Sequence, residues 1–466
     1  MAAVFEFGSL LLLGYFLALQ VMLFLLAVVS GIVLYRERMV ERFARVEDML
    51  VSDLAPPVSI LVPAYNEAAG IVDAVRSMGM VSYPRFEIVV VNDGSTDDTL
   101  ARLIEAFELV PVPYPLRANL PTAPIRQVYK TRLPIRLTVV DKENRGRADA
   151  LNTAINAARY PYVLATDADV IIDGMALVHA MRLVAEDRDR TVAVGGNVRP
   201  INGCRVRHGH LIDAAVPSTL VERYQLLEYL RSFIASRPAW SALNCLPLVS
   251  GAFGVFRRDV LVEVGGYTVG HFGEDMDLTM RIHRHLRAKK MDYRIVYSPA
   301  AVVWTEVPPT RAILRRQRIR WHRGLMTAMQ DFRSSFLNPS HGTLGMISWP
   351  VMVLFEYLAP IVEFLGYLVV PIAIATGAVS PISAVVLYLI AVFAGAINSL
   401  LALLLDERFG YFNDPRETLR LLVVVFVENL GIRQLTVWWR VRAMLGGKVT
   451  RVWGDMERRG VAKVAS

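Results

Sequence analysis

Two carboxylates stand two residues apart at the end of an apolar run, in the segment VLATDADV at residues 163–170. Asp167 and Asp169 offer hard oxygen ligands, which bind Mg²⁺ or Mn²⁺ together with the phosphates of a substrate. The pair therefore indicates a metal-diphosphate site with Asp169 and Asp167 as metal ligands. Surface turns also produce this D-x-D pattern. The pattern therefore indicates a functional site only together with the buried strand before it and the polar ends of the neighbouring strands.

Polar turn residues follow three further predicted strands, at 63–67 (PAYNE), 92–95 (NDGS) and 141–147 (DKENRGR). In open α/β sheets, ligands bind beyond the carboxyl ends of the strands, so four polar strand ends predict one site. Lys142, Arg145 and Arg147 supply cations for a diphosphate. Arg147 would also begin a helix, whose N-terminal dipole favours anions. A solvated basic loop is the alternative interpretation.

Another carboxylate pair, Glu274-Asp275, precedes an amphipathic helical pattern in which Leu278 and Ile282 share one face. A carboxylate at the start of a helix is often only an N-cap. The helix dipole would also keep the group ionised, as a general base acting on a sugar hydroxyl must be. The pair is therefore the predicted catalytic group, with the N-cap as the alternative.

The segment RAILRRQRIRWHRG, at residues 311–324, predicts an amphipathic interfacial helix. Gln317, Arg320 and Trp321 fall at positions i, i+3 and i+4, so an amide, a guanidinium and an indole share one face. A guanidinium suits a diphosphate, and an aromatic plate suits a sugar ring. Six arginines beside apolar segments also fit a helix that only anchors the chain at a membrane surface.

The elements that must position these residues include membrane segments. Hydrophobic residues make up 54% of the 466-residue chain and charged residues only 20%, which is too apolar for a soluble protein of this length. The uncharged run at 8–35 exceeds the ~20 residues that span a bilayer. Basic residues follow this run, whereas a signal peptide has them before it. Residues 1–36 are therefore a predicted uncleaved anchor, with residue 36 onward in the cytoplasm.

Three more apolar segments, near 348–377, 382–405 and 418–440, lie in a C-terminal membrane region at 345–441. The protein is thus predicted to be a multi-pass protein of the inner (plasma) membrane. Three crossings after a cytoplasmic residue 36 would put the basic tail at 442–466 outside, against the positive-inside rule. The last segment carries polar residues, so an interfacial or cavity-lining position is the alternative; they are Arg420, Glu428, Asn429, Arg433 and Gln434.

Between the membrane segments, short apolar strands alternate with helical patterns, which predicts a parallel, helix-flanked α/β sheet. Six prolines at 109–134 predict a loop or hairpin that interrupts the alternation. The predicted strands are PPVSILVP, FEIVVV, IRLTVV, YVLAT and TVAVGG, and the predicted helices cover 67–79, 97–108, 147–159 and 171–185.

The net charge of +8 comes largely from arginines beside apolar segments. Membrane lipid or an anionic substrate explains these arginines better than nucleic acid, for which no binding signature is present. The two cysteines, Cys204 and Cys245, have neither metal-ligand spacing nor a disulfide pattern, so they are predicted to be buried, reduced thiols.

PAYNE, VNDGS, KENRGRADALN, DAD, GED and QRIRW occur in this order over residues 55–325. Together they resemble the processive family-2 membrane glycosyltransferases: the cellulose, hyaluronan, chitin-oligosaccharide and poly-N-acetylglucosamine synthases. The resemblance implies a GT-A-type (Rossmann-like) catalytic domain at 50–335, in the cytoplasm. It also implies inverting, processive transfer from UDP-N-acetylglucosamine or UDP-glucose to a growing β-linked polysaccharide acceptor that is exported across the membrane.

On the donor side, the resemblance implies that the backbone around Ala64 and Tyr65, with Glu67 and Asp93, holds the uridine of the UDP-sugar. Asp167 would contact the nucleotide.

On the reacting side, the resemblance makes Asp169 a ligand of Mg²⁺ or Mn²⁺ and Asp275 the base for the acceptor hydroxyl. Gln317, Arg320 and Trp321 would close over the diphosphate and the acceptor sugar. A one-step inversion agrees with the absence of an activated Ser or Cys nucleophile among the motifs.

Some features depart from the family or fit two interpretations. Arg147 stands where the family often has Lys, which keeps the charge and changes the contact geometry. Only the short basic tail follows the last segment, so control through the cyclic-di-GMP module of bacterial cellulose synthases is not expected.

Residues 221–233 resemble the family's acceptor-facing region, although an amphipathic interdomain helix has the same pattern. The few spans favour a small membrane partner subunit that completes a channel.

Two other functions stay open. A non-processive enzyme that adds one sugar to a polyprenyl phosphate would share the PAYNE, VNDGS and D-x-D motifs, but it would not need the face formed by Gln317, Arg320 and Trp321. A transporter or receptor without enzymatic activity would need none of the carboxylates.

Overall fold

The computed structural model describes residues 2–43, 55–113, 117–207, 210–412 and 414–446. The helices are α1 (Ala2–Phe43), α2 (Ile71–Gly79), α3 (Thr99–Ala106), α4 (Arg147–Ala157), α5 (Ala176–Glu186), α6 (Leu220–Tyr229), α7 (Arg237–Ala242), α8 (Arg258–Glu263), α9 (Glu274–Ala288), α10 (Arg311–Asp331), α11 (Trp349–Met352), α12 (Ala359–Ala375), α13 (Pro381–Glu407), α14 (Pro415–Val427) and α15 (Ile432–Met444). The strands are β1 (Val58–Ala64), β2 (Phe86–Asp93), β3 (Leu109–Pro111), β4 (Ile125–Thr131), β5 (Leu137–Lys142), β6 (Tyr162–Ala165), β7 (Ile171–Ile172), β8 (Thr191–Pro200), β9 (Arg205–Arg207), β10 (His210–Asp213), β11 (Gly254–Arg257) and β12 (Arg294–Thr305).

Ten strands form one sheet in the order β3-β4-β5-β2-β1-β6-β11-β8-β12-β7. The five strands predicted from apolar runs, β1, β2, β5, β6 and β8, are all present and point in one direction. The sheet is nevertheless mixed and not parallel, because β11 pairs antiparallel with both β6 and β8. The proline-rich stretch forms an antiparallel hairpin of β3 and β4, so the hairpin alternative is confirmed.

Two of the four predicted helices begin later than expected. The first begins at Ile71, because Asn66 has a φ of +56° and the chain turns before the helix starts. The fourth begins at Ala176, because Ile171 and Ile172 pair with β12 instead. The other two, α3 and α4, lie inside their predicted ranges.

The described chain forms two compact units. The sheet unit comprises residues 35–215 and 241–307, and the helical unit comprises residues 2–34, 216–240 and 308–446. The predicted catalytic domain at 50–335 is therefore not one compact unit, since 216–240 and 308–335 belong to the helical unit. The division into two units follows from how distant segments pack against one another, and the sequence pattern does not reveal that packing.

That packing involves α6 and the π-helical turn after it, at 230–234. Leu226, Leu230 and Ile234 are buried in one cluster with Ala402 of α13 and Leu421 of α14. The segment predicted as acceptor-facing or interdomain is thus an amphipathic element whose apolar face packs against the C-terminal helices.

Polar side chains in the helical unit pair with one another. The Nη1 atom of Arg231 donates to Ser399 Oγ at 2.6 Å and lies 2.5 Å from Glu428 Oε1. Arg433 and Glu363 form a second, two-pronged ion pair at 2.9 and 3.0 Å. Such pairing lets charged groups lie among apolar helices.

Three helical stretches in the described residues are long and apolar enough to cross a membrane: 7–40, 344–375 and 381–407. The predicted final segment at 418–440 is instead two helices, α14 and α15, which meet at a bend of 56°. Glu428 to Gly431 form the break, where the polar residues of the segment cluster. Of the predicted basic tail at 442–466, residues 447–466 lie outside the described residues.

Candidate active site

The loops after β1 and β2 are tied together at the carboxyl edge of the sheet. The backbone N–H of Asn66 donates to Ser95 Oγ at 3.0 Å, and the Asn66 side-chain oxygen accepts from the Thr96 N–H at 2.8 Å. The N–H of Glu67 donates to Thr99 Oγ1 at 2.9 Å. These contacts fix the backbone of the loop predicted to hold uridine.

Within that loop the predicted residues differ in exposure. Ala64 is buried as the last residue of β1, whereas the Tyr65 side chain is 41% exposed and Glu67 is half-buried. Tyr65 is therefore the accessible aromatic surface at this edge of the sheet.

Asp93 and Lys142 form a buried network and do not face an open site. The Lys142 ammonium is fully buried, 2.5 Å from Asp93 Oδ1 and 2.8 Å from Asp149 Oδ1. Asp93 also accepts the backbone N–H groups of Arg145 at 3.1 Å and Gly146 at 2.7 Å. The prediction that Lys142 contacts the diphosphate is wrong in this structure, because its charge is already neutralised by two buried carboxylates. The side chain of Asp93 shapes the loop before α4, and its contact with uridine stays a prediction.

Arg147 gathers the predicted carboxylates around one guanidinium. It is the first residue of α4, after Gly146 at a φ of +92°. Its Nε donates to Asp167 Oδ1 at 2.8 Å, and its Nη1 lies 3.0 Å from Glu274 Oε1 and 3.3 Å from Asp275 Oδ1. The sequence predicted a diphosphate ligand here, and the structure shows a cation that joins the D-x-D turn to the start of α9.

The surroundings shift the pKa values of both Arg147 and Asp275. Burial alone would lower the pKa of Arg147, but the carboxylates of Asp167, Asp275 and Glu274 raise it well above its usual value, so it stays charged. Burial raises the pKa of Asp275 to about 6, against the opposing charge of Arg147 and with help from Glu274 and Asp167. Asp275 follows the helix start and does not cap it, since the N-cap is Gly273. A carboxylate with this pKa is ionised at neutral pH and basic enough to take a proton.

This pKa predicts the pH dependence of the reaction. Because the base acts only when ionised, the kcat/KM should fall as the pH drops through about 6, tenfold for each further unit. An ordinary exposed Asp would place this limb near pH 4. A pH profile of kcat/KM between pH 4.5 and 8 checks the prediction, and a rate that stays constant down to pH 5 would contradict it.

Gly251, which the sequence analysis did not single out, completes the cluster. Its N–H donates to Asp275 Oδ2 at 3.1 Å, and its carbonyl accepts from Arg147 Nη2 at 3.0 Å. A Cβ atom at this position would lie 2.6 Å from both Arg147 Nη2 and Asp275 Oδ2. Only glycine lets the backbone approach this closely, and the stretch SGAFG at 250–254 was the available signal.

Gly251→Ala should therefore lower sugar transfer by about 100-fold, because a displacement of the base by even about 1 Å costs that much. Gly79→Ala is a matched control, since a Cβ there meets nothing within 4 Å. Steady-state rates of the two variants, each checked for folding by its melting temperature, test this. Equal loss in both would show a general effect on folding.

The D-x-D turn has the donor chemistry for a divalent cation. Asp167 and Asp169 flank a turn after β6, where both side chains are half-buried. No group of three or more His, Cys, Asp or Glu side chains within the described ranges is arranged to hold a metal by itself. Carboxylate oxygens are the hard donors that suit Mg²⁺ or Mn²⁺, which complete their shells with phosphate oxygens and water.

Gln317, Arg320 and Trp321 lie on α10, in the helical unit. The predicted helix is present, and its Trp321 side chain is 41% exposed with the Arg318 guanidinium 4.7 Å from the ring centroid. Arg318 in turn pairs with Glu228 at 2.5 Å. The indole is thus held in place on one face and open on the other.

A mixed sheet with a D-x-D turn after β6 and a half-buried carboxylate pair at the start of α9 defines a GT-A-like fold. Residues 56–324, more than half of the chain, match the family model described as "Glycosyltransferase like family 2". The chain belongs to this family and is a glycosyltransferase.

The curated proteins that resemble the chain include two named poly-beta-1,6-N-acetyl-D-glucosamine synthase. The one from Staphylococcus aureus (strain COL) is 30% identical over 268 residues, which cover 57% of this chain and 54% of the relative. The one from Staphylococcus epidermidis is 27% identical over 315 residues, 67% of this chain and 65% of the relative. The chain thus matches between half and two thirds of the length of these relatives.

Two solved structures also resemble the chain. A Pyrobaculum calidifontis mannosyltransferase in complex with GDP-Man and Mn²⁺ has a TM-score of 0.48 and 21% identity, covering 91% of this chain and 99% of that one. Residues 1–349 of S. aureus TarS in complex with UDP-GlcNAc give a TM-score of 0.39 and 18% identity, covering 77% and 93%.

Proposed function

We propose that this chain transfers a sugar from a UDP-sugar to the end of a growing β-linked polysaccharide, with inversion at the anomeric carbon. UDP-N-acetylglucosamine is the favoured donor and UDP-glucose the second, because the curated relatives are named for a polymer of N-acetylglucosamine. The observation that carries the proposal is the cluster in which Arg147 joins Asp167 to Glu274 and Asp275. Processive elongation and export are parts of the proposal that rest on the resemblance to the synthases.

In this mechanism the ionised Asp275 accepts the proton of the acceptor hydroxyl as its oxygen bonds to the anomeric carbon of the donor. The bond from that carbon to the diphosphate oxygen breaks on the opposite face, and UDP leaves. Gly251 holds one Asp275 oxygen through its N–H, which leaves the other oxygen oriented by Arg147. Glu274 is also ion-paired with Arg147, and its negative charge helps to keep the pKa of Asp275 high.

Asp169 and Asp167 would hold Mg²⁺ or Mn²⁺, which when bound neutralises the negative charge of the diphosphate. Arg147 already contacts Asp167, so the same guanidinium that orients the base also orients one proposed metal ligand. Tyr65 and the loop around Asn66 would hold the uridine beside them.

The helical unit supports a three-span topology in which the last two helices do not cross. Asn398 Nδ2 donates to Gln20 Oε1 at 2.7 Å, and the Arg408 guanidinium donates to the Leu34 carbonyl. The contact later in α1, at Leu34, is also the contact later in α13, at Arg408, so the two helices run in the same direction. If both enter the cytoplasm and the bent pair α14–α15 stays on that side, the basic tail is cytoplasmic and obeys the positive-inside rule.

The runner-up function is transfer of one sugar to a polyprenyl phosphate. It would use the same donor site and would leave the exposed face of Trp321 without a role. The two functions differ in their product, which is a long chain in one case and an organic-soluble lipid in the other.

The experiment is UDP release by the detergent-purified full chain with a panel of UDP-sugars and Mg²⁺ or Mn²⁺, together with sizing of labelled product. Turnover with one UDP-sugar and a product of many units would support the proposal. A single sugar on lipid would replace it with the runner-up. Absence of turnover, also after a small membrane partner subunit is supplied, would contradict both.

Trp321→Ala should shorten the product more than it weakens UDP binding, because the indole is the proposed platform for the acceptor sugar. Loss of one aromatic stacking contact with a sugar should cost about 1 kcal/mol or more at each elongation step. Trp438→Ala, on α15 and similarly exposed at 44%, is the matched control. Product sizing by gel and UDP titration test the two effects separately, and unchanged product length would refute the platform role.

A further inference from the structure

A cavity rich in arginine lies in the sheet unit, away from the candidate active site. It encloses about 500 Å³, a volume that suits a small organic ligand. Five arginines contribute to its lining, together with two tyrosines and two aspartates; they are Arg117, Arg159, Arg188, Arg257, Arg258, Tyr160, Tyr162, Asp189 and Asp259.

The cavity lies at the amino edge of the sheet, opposite the catalytic residues. Tyr162 begins β6, and Arg257 pairs with it at the end of the antiparallel strand β11. Asp167 follows the other end of β6, and Gly251 precedes the other end of β11. The two sites are therefore separated by the length of the same two strands, and the cavity is not part of the donor site.

Positive charge exceeds negative charge in the lining by three, five arginines against two aspartates. One aspartate is already engaged, because Arg257 holds Asp259 with two donors at 2.6 and 3.2 Å. Arg117 and Arg188 are exposed and line the cavity, and Arg188 also hydrogen-bonds the Tyr162 side chain.

The Arg258 guanidinium contributes to this positive charge, and one of its nitrogens has no hydrogen-bond partner among the described residues. Its Nε donates to the Ile155 carbonyl at 3.0 Å, but its Nη2 is buried and finds no hydrogen-bond partner among the described residues. Burial and the charge of Arg117 both lower the pKa of Arg258. A buried guanidinium without a carboxylate partner adds positive potential to the cavity, which favours an anion there.

We propose that this cavity binds a phosphate-bearing anion, either a soluble organic phosphate or the phosphate headgroup of a lipid. Arginine donors in fixed planes match phosphate oxygens two at a time. Five arginines line this cavity, and of these Arg257 is paired with Asp259 and Arg159 with Glu87. Tyr160 and Tyr162 add aromatic surface beside the charged groups. A ligand at this site would contact the two strands that lead to Asp167 and Gly251, which makes the cavity a place from which transfer could be regulated.

The test is calorimetric titration of the detergent-purified full chain with pyrophosphate in metal-free buffer. The double variant Arg117→Gln/Arg188→Gln removes two exposed cations of the lining, and Arg76→Gln removes another exposed arginine, on α2, as a control. We expect pyrophosphate to bind the wild type and Arg76→Gln alike. The double variant should bind at least about tenfold more weakly, equivalent to about 1.4 kcal/mol.

Saturating UDP separates this cavity from the donor site, because binding at the cavity should persist when UDP is present. Repeating the titration in nanodiscs of phosphatidylcholine with and without phosphatidic acid separates the two sources of phosphate. Weaker binding of pyrophosphate in the presence of phosphatidic acid identifies a lipid headgroup, and unchanged binding identifies a soluble ligand. Equal affinity of the wild type and the double variant, displacement of all binding by UDP, or no saturable binding would overturn the proposal.

Discussion

Asp275→Asn should lower sugar transfer by about 10²–10⁴-fold, the range expected when a general base is lost, while UDP binding is retained. The amide has the same shape and can still accept the Gly251 N–H, so the local fold should survive. The lone pair of the amide nitrogen is delocalised into the carbonyl, so the asparagine side chain is too weak a base to take a proton from the acceptor hydroxyl. Turnover measured by UDP release, and UDP affinity measured by titration, test the two halves of this expectation.

Two further variants sharpen the assignment of the base. Glu274→Gln keeps Asp275 in place and should lower the rate less, because Glu274 affects the base through charge. Asp292→Asn changes an Asp that is 74% exposed and should have no effect on the rate. Comparable turnover by Asp275→Asn and the wild type, or a larger loss in Glu274→Gln, would show that Asp275 is not the base.

Arg147→Lys should lower transfer by about 100-fold with little change in the acid limb of the pH profile. A lysine keeps the positive charge near Asp275 but cannot reach Asp167, Glu274 and the Gly251 carbonyl from one planar group. Arg147→Met also removes the charge, so the pKa of Asp275 should rise further and the acid limb should move to higher pH.

The comparison of these two variants separates geometry from charge. Arg147→Met leaves three half-buried carboxylates without a cation, and we expect it to lower the free energy of unfolding. Melting temperatures therefore accompany the rate measurements. Identical pH profiles for the Met and Lys variants would refute the electrostatic role of Arg147, and wild-type rates in Arg147→Lys would refute its geometric role.

The sequence predicted those parts of the fold and site that depend on local patterns. Buried β-branched runs such as VSILVPA and FEIVVVND formed the expected strands, and their polar ends converge at one edge. The D-x-D turn and the start of α9 could be found because each carries its chemistry within a few consecutive residues. What these residues do together follows from the strand order, since Asp167 and Asp275 are both held by Arg147.

The missed features depend on contacts between distant segments. Lys142 was predicted to face the ligand, but Asp93 and Asp149 on both sides of it form a better environment for its charge. Gly251 has no side chain to signal a role, and its importance comes from what a Cβ would meet. Residues 216–240 were predicted to belong to the catalytic domain but lie in the helical unit, because the apolar face of α6 packs against α13 and α14, far along the chain.

The position of β11 has a consequence for synthesis of the protein. β11 lies between β6 and β8, yet the ribosome makes both neighbours first, since β8 ends at Pro200 and β11 begins at Gly254. Until residue 254 has been made, β6 and β8 cannot have the strand that lies between them in the folded sheet. Strand edges without their partner can pair with other chains, so we expect translation through this interval to expose the chain to aggregation.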